Sequence, residues 1–272
     1  MIANVTDILN ERAITGWCHH LCAIGRAEST RANYTYYLRR FLRGRAFAAV
    51  TVDDVETWLA GHRWAPATRR NILGALGSFF GWAHGRALIE CDPTEGITPP
   101  RTTAPCPKPT PQAVIDAALA REPDSRYWLV VAAVTTGLRR GELARLHSDQ
   151  VELHADGYWL RIVGKGDRSR LVPCPEDVAA WLMDCHGWAF PSRRFPGRHE
   201  LPPSVGKRLK RLLGGYSAHT LRHHYATAAY QQSGDLMATQ QLLGHASPVT
   251  TIGYVQQDPA RLRRAASAAW AS

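Results

Sequence analysis

The chain has 272 residues, 45% of them hydrophobic, and carries 33 Lys and Arg against 23 Asp and Glu, a formal charge of +10. That length accommodates about two domains with cores of their own, and the excess of cations suggests a polyanionic partner, nucleic acid before any other. No run of 18 apolar residues offers a membrane span, and the N-terminus has neither the basic nor the apolar region of a signal peptide, so a cytoplasmic protein is expected.

The first ninety residues read as a small helical bundle. Ser29 or Thr30 is placed to cap a helix whose Tyr34, Tyr37, Leu38, Phe41 and Leu42 recur at helical spacing, with Arg31, Arg39, Arg40 and Arg43 elsewhere on its surface. Thr51 followed by Asp54 resembles a capping box opening the next helix, and Pro66 starts a third that carries Ile72, Leu73, Leu76, Phe79 and Phe80. Arg63, Arg69 and Arg70 cluster at the start of that third helix. With Arg39 and Arg40 they are the candidate DNA contacts of this half, although a solvated helix end explains them as well.

Within the bundle, Cys18-His19-His20-Leu21-Cys22 puts two thiols on one helical face. No second ligand pair with zinc spacing follows, so a buried helix face is expected and no metal. The remaining cysteines are scattered and indicate no disulfide framework.

Between Cys91 and Pro111 seven prolines block helix continuation, which divides the chain into a helical domain over 1–90, a linker over 91–109 and a second domain over 110–272. Thr110-Pro111 reads as the N-cap and first residue of the next helix. Trp128 to Val134 is an apolar helix ending at Thr136-Gly137, with a new helix near Arg140. Tyr158 to Val163 and Arg170 to Pro173, joined by Gly164-Lys165-Gly166-Asp167, form a β-hairpin. Helices are expected over Pro175–Met183, Val205–Leu213, His219–Gln232, Leu236–Leu243, Pro248–Tyr254 and Pro259–Trp270. The fold class is therefore mainly α with a small β-hairpin or sheet: a helical first domain and a mixed α+β second one.

Histidines, an arginine and a late tyrosine (His219-Thr220-Leu221-Arg222-His223, Leu243-Gly244-His245, Tyr254) look like equipment for handling a phosphodiester. His219 and Arg222 are three residues apart and share a helical face. Arg139, within Thr136-Gly137-Leu138-Arg139-Arg140-Gly141-Glu142, would in isolation be a helix-start arginine paired with Glu142. Lys165 is one of only four lysines in the chain and sits at the hairpin tip.

These five motifs, in this order from Thr136 to Tyr254, resemble the tyrosine recombinases, the phage-type integrases and Xer-like enzymes. The resemblance implies a core-site DNA-binding domain ahead of a catalytic domain that uses no metal and no cofactor. Cutting a strand this way needs a nucleophile, a proton donor for the leaving 5′-oxygen and fixed positive charge around the transition state. The resemblance assigns Tyr254, nine positions after His245, as nucleophile and Arg139 and Arg222 as the phosphate clamp, a task suited to planar guanidinium forks. It assigns His219 to proton movement at the nucleophile, His245 to a hydrogen bond on the phosphate and Lys165 to protonation of the leaving group. Lysine, unlike arginine, can be tuned to donate a proton. Glu142 and His223 act as structural support, and His224 receives no role. Val255 departs from the polar residue that many relatives carry after the nucleophile.

The resemblance further implies double-stranded DNA core sites as substrate, a homotetramer on DNA passing through a Holliday junction, and an accessory or directionality factor. With little room ahead of the helical bundle, an arm-site module is not expected. The segment 259–272 resembles a helix that docks on a neighbouring protomer, or packs on its own. Integration of a phage or mobile element and Xer-like dimer resolution both fit. A type IB topoisomerase-like enzyme and a noncatalytic DNA-binding protein are the readings from other classes.

Overall fold

The computed structural model of the protein describes residues 5–102, 108–164 and 169–244. The chain divides into two compact units at 103/104. The expected hairpin tip with Lys165, together with His245, Tyr254 and both helices expected after Gly244, lie outside the described residues.

The first unit contains α1 (Val5–Ala23), α2 (Glu28–Leu42), α3 (Val52–Ala60) and α4 (Pro66–Gly85). Its core is aromatic: Trp17, Phe41, Phe79 and Phe80 are fully buried with Ile14, Leu38, Ile72 and Leu76. Trp17 meets Phe79 edge to face at 5.5 Å and donates its indole N–H to the Ser78 carbonyl at 3.1 Å, so the one polar atom of a large buried ring is satisfied. Buried Asn10 donates to the Arg45 carbonyl and accepts from the Phe47 N–H, pinning the turn after α2. The Thr51–Asp54 capping box opens α3 and Pro66 is the first residue of α4, as the sequence suggests.

Three details of this unit differ from expectation. Helix α2 begins one residue before Ser29, with Ala27 at the cap and no side-chain hydrogen bond there, so neither Ser29 nor Thr30 caps it. Cys18 is half-buried, 3.4 Å from the Thr35 hydroxyl, but Cys22 is exposed, so the two thiols do not share a buried face. No group of three metal-ligating side chains occurs among the described residues. The segment from Cys91 is also held by this unit: Ile97 packs on the aromatic core and Arg70 donates to the Pro100 carbonyl at 3.2 Å. Proline prevents helix here but not docking.

The second unit contains α5 (Gln112–Leu119), α6 (Ser125–Thr136), α7 (Arg140–Ala144), a three-stranded antiparallel sheet of β1 (Val151–His154), β2 (Gly157–Val163) and β3 (Ser169–Pro173), then α8 (Glu176–Asp184), α9 (Pro202–Leu212), α10 (Ala218–Ser233) and α11 (Leu236–Leu243). Helix α6 is central: Leu129 to Ala133 are all buried, and α5, α9 and α10 pack around it. The sheet turns Leu160, Ile162 and Val172 into the same core. Thr110 is buried, yet it does not cap α5. Its hydroxyl meets that of Thr220 at 2.9 Å and its N–H donates to the Thr220 carbonyl, while Pro111 takes the cap position. No helix among the described residues is long and apolar enough to cross a membrane.

Candidate active site

Helix α10 starts where Ser217 and Thr220 exchange side-chain and backbone hydrogen bonds, a reciprocal cap that fixes the first turn and with it the direction of His219 and Arg222. Arg222 is buried. One of its terminal nitrogens donates to the Gly137 carbonyl at 2.7 Å and the other to the Leu243 carbonyl. A guanidinium charge this enclosed interacts more strongly with a neighbouring anion than one in water.

The Gly137 carbonyl is available because α6 ends there in the left-handed region, φ +60°. A Cβ at Gly137 would lie 2.3 Å from the Tyr225 ring, so only glycine fits, and Tyr225, one turn after Arg222, closes the contact from the other side. Helix α11, capped by Asp235, ends at Gly244 with the same left-handed geometry, presenting the carbonyls of Leu243 and Gly244.

Arg139 occupies the cap position of α7 with extended backbone. Its N–H donates to Glu142 Oε2 at 2.8 Å, one terminal nitrogen donates to Glu142 Oε1 at 3.0 Å, and the other donates to the Gly244 carbonyl at 3.0 Å. Arg139 and Arg222 therefore anchor to adjacent carbonyls at the end of one helix, from residues 83 positions apart in the chain (222 − 139). The side chain of Arg139 remains 42% exposed, which leaves its fork open to a ligand.

Glu142 is buried between two arginines. Burial pushes its carboxyl up, but hydrogen bonds from Arg170 and from the Arg139 backbone, with the charges of both guanidiniums, outweigh it and hold the group down at about 2. Arg170 is not among the site residues that the sequence motifs indicate. It stands on β3 opposite buried Ile162 and two residues before buried Val172, hence on the inward face. A charged residue at an inward position of an alternating strand is the signal that marks it.

His219 and His223 are one turn apart, with Nε2 atoms 3.0 Å from each other. Partial burial and the Arg222 charge lower His219, and burial, His219 and Arg222 together lower His223 to about 4, so both rings are neutral at pH 7. A neutral imidazole can accept a proton, as a helper of a phenol nucleophile must. His224, given no role, meets the Thr110 carbonyl at 3.0 Å through Nδ1.

In the first unit, Arg39 and Arg40 line an open groove of about 820 Å³ along α2 with Arg31, Arg43 and exposed Tyr36. Arg39 is engaged with Glu11 through two hydrogen bonds at 2.7 and 2.8 Å. Arg40 lies 5.5 Å over the Trp64 ring. Arg63 is exposed, whereas Arg69 and Arg70 donate to the backbone carbonyls of His62 and Pro100. These three do not line the groove.

The model of the phage integrase family matches residues 112–261. Tyrosine recombinase XerD of Pseudomonas putida is 30% identical over 275 residues, covering 88% of this chain and 90% of that protein. Among solved structures, XerH site-specific recombinase bound to palindromic difH substrate aligns with TM-score 0.67 at 22% identity, covering 87% of this chain and 79% of that one. A lambda integrase tetramer bound to a Holliday junction aligns with TM-score 0.67 at 18% identity, covering 88% and 77%. Likeness at these identities establishes a common fold.

Proposed function

Since the chain belongs to the phage integrase family and is a site-specific tyrosine recombinase, we propose that its second unit cuts and rejoins DNA through Tyr254. The phenol oxygen attacks the scissile phosphorus, the bond from phosphorus to the 5′-oxygen breaks, and the strand end is retained as a 3′-phosphotyrosyl ester. The phenol proton passes toward His219 and the departing 5′-oxygen takes a proton from Lys165. In the reverse step a 5′-hydroxyl of the partner duplex attacks the ester, restoring the phosphodiester and freeing the tyrosine. Bond energy is conserved, so the exchange needs no nucleotide cofactor.

The observation that carries this reading is the anchoring of Arg139 and Arg222 to the adjacent carbonyls of Gly244 and Leu243. Two forks held side by side suit the non-bridging oxygens of one phosphate and stabilise the charge that builds on them at the five-coordinate stage. Neutral His219 beside this clamp supports its part in proton movement, and His245, next in sequence after Gly244, supplies a further hydrogen bond to the phosphate. The proposed domain roles are core-site binding for the helical bundle before the 91–109 linker and catalysis for 110–272. Basic residues of the α2 groove, Arg39 and Arg40 among them, and Arg63 contact the duplex backbone.

Four protomers on two core sites exchange strands pairwise through a Holliday junction, with the 259–272 segment contacting a neighbour, in the cytoplasm where the DNA lies. An accessory factor sets direction. Integration or excision of a mobile element is the proposed biological role. Resolution of replicon dimers is the second reading, favoured by the similarity to XerD along nearly the whole chain. An attachment site flanking the gene separates the two.

A nicked suicide substrate, which loses the short strand after cleavage, tests the chemistry. The wild-type chain accumulates a covalent DNA adduct and Tyr254→Phe does not. An adduct formed by the Phe variant removes Tyr254 from the nucleophile's role.

A further inference from the structure

Arg170 joins three parts of the second unit that are far apart in sequence. From β3 it donates two parallel hydrogen bonds to Glu142, at 2.9 Å to Oε1 and 2.8 Å to Oε2, and its Nε donates to the Leu242 carbonyl at 3.3 Å. Its side chain is 14% exposed and that of Glu142 5%, so this is an enclosed, bidentate pair with fixed geometry. The same Glu142 carboxylate receives the Arg139 N–H and guanidinium. Arg170 also fills the space in front of Gly244: a Cβ there would stand 2.8 Å from Arg170 Cδ and 3.0 Å from Nε. Each anchor of Arg139, the Glu142 carboxylate and the Gly244 carbonyl, is thus set by Arg170.

We propose that Arg170 is a positioning residue for strand cleavage, orienting Arg139 through Glu142 and fixing the end of α11 that supplies the carbonyl anchors of the arginine clamp. Among the described residues its hydrogen bonds go to Glu142 and to the Leu242 carbonyl. It ties β3, which follows Lys165 in the chain, to the helix end that precedes His245, so this strand and the arginine clamp share one fastening. Without Arg170, Glu142 keeps one cationic partner, its carboxylate rotates, and the Arg139 fork loses the direction that suits a phosphate. The cost falls on the chemical step and not on DNA affinity. Partners that orient metal ligands typically contribute about 10- to 100-fold to activity, and a loss of the same order is expected for a partner that orients a phosphate-binding arginine.

The inference rests on the proposed covalent chemistry, and wild-type adduct formation is measured in the same experiment, so a failure of that chemistry shows separately. Arg170→Gln and Arg170→Lys are compared with wild type in single-turnover cleavage of the suicide substrate at saturating DNA, from pH 5 to 9, with affinity measured by mobility shift. Arg170→Gln is expected to cleave about 10- to 100-fold more slowly at unchanged affinity, and Arg170→Lys to recover part of the rate. A second readout distinguishes positioning from general destabilisation. With Arg170 gone, burial raises the Glu142 carboxyl, so Arg170→Gln loses further rate toward acid pH relative to wild type. Arg170→Gln combined with Glu142→Gln lacks that additional acid loss. Wild-type rate in Arg170→Gln, or an acid limb unchanged by Glu142→Gln, overturns the proposal. If Arg170→Gln fails to fold, Arg170→Lys decides: a full wild-type rate and pH profile with the charge retained but the fork removed likewise overturns it.

Discussion

Gly137→Ala perturbs the clamp without touching a charged residue. At φ +60° a Cβ costs about 1–2 kcal/mol in backbone strain. That Cβ would also stand 2.3 Å from Tyr225 Cδ1 and 2.8 Å from Cγ and Cε1, contacts that only displacement of the ring relieves. Overpacking of this kind adds about 1–3 kcal/mol. The sum, about 2–5 kcal/mol, lowers the melting temperature of a unit this size by at least about 4 °C. The Gly137 carbonyl accepts from Arg222, so the same displacement also slows adduct formation. Thermal unfolding followed by circular dichroism reads the first effect and the suicide substrate the second. A Tyr225→Ala background separates the contributions: there Gly137→Ala costs only the backbone part, about 1–2 kcal/mol. A melting temperature for Gly137→Ala within about 1 °C of wild type refutes the account of why glycine stands here.

Two pH effects follow from the site's electrostatics. Glu142 has a folded-state value of about 2 against an ordinary 4.5, so its ionised form stabilises the fold fully above about pH 4.5, and that contribution is lost as pH falls toward 2. Acid melts of wild type should therefore steepen over this window relative to Glu142→Gln, and parallel curves would contradict the buried pairing. His223 is lowered to about 4 from 6.5, so between those values the unfolded chain binds more protons and folding weakens as pH falls. An NMR titration of the histidine side chains should place the His223 midpoint near 4; a midpoint at 6.5 or above would show that the ring is not enclosed as described.

Much of this architecture was legible because it obeys local rules. The Thr51 box, the proline at the head of α4 and the Gly137 and Gly244 helix ends follow from the geometry of single turns, and the hairpin from alternation of apolar residues. What escaped depended on distant partners. Thr110 has the chemistry of a helix cap, but Thr220 offers it both a hydroxyl and a carbonyl from 110 residues away, and that exchange prevails. Strand β1 has two exposed residues out of four and no alternation to announce it; pairing with β2 defines it. The inward strand position of Arg170 hints at burial, but its partner Glu142 lies 28 residues earlier and appears only in the fold. Arg139 and Arg222 meet at the end of α11 although they are distant in the chain, whereas the contacts of Arg69 and Arg70 with the His62 and Pro100 carbonyls could not be read from the spacing of cations.

The span of the site's hydrogen bonds bears on when the protein becomes dangerous to DNA. Arg222 reaches back 85 residues to Gly137, and Arg139 reaches forward 105 to Gly244. Contacts of such separation form only after long loops have closed, so they belong to the slow part of folding. During synthesis, which proceeds from the N-terminus, a chain that has emerged only as far as the sheet holds Arg139 and Glu142 but not the helix ends that aim them. A ribosome-bound fragment can carry the basic groove of α2 while the arginine anchors of the second unit are still missing. Order along the chain thus acts as a safeguard: Arg139 and Arg222 are aimed only after the residues through Gly244 have been made.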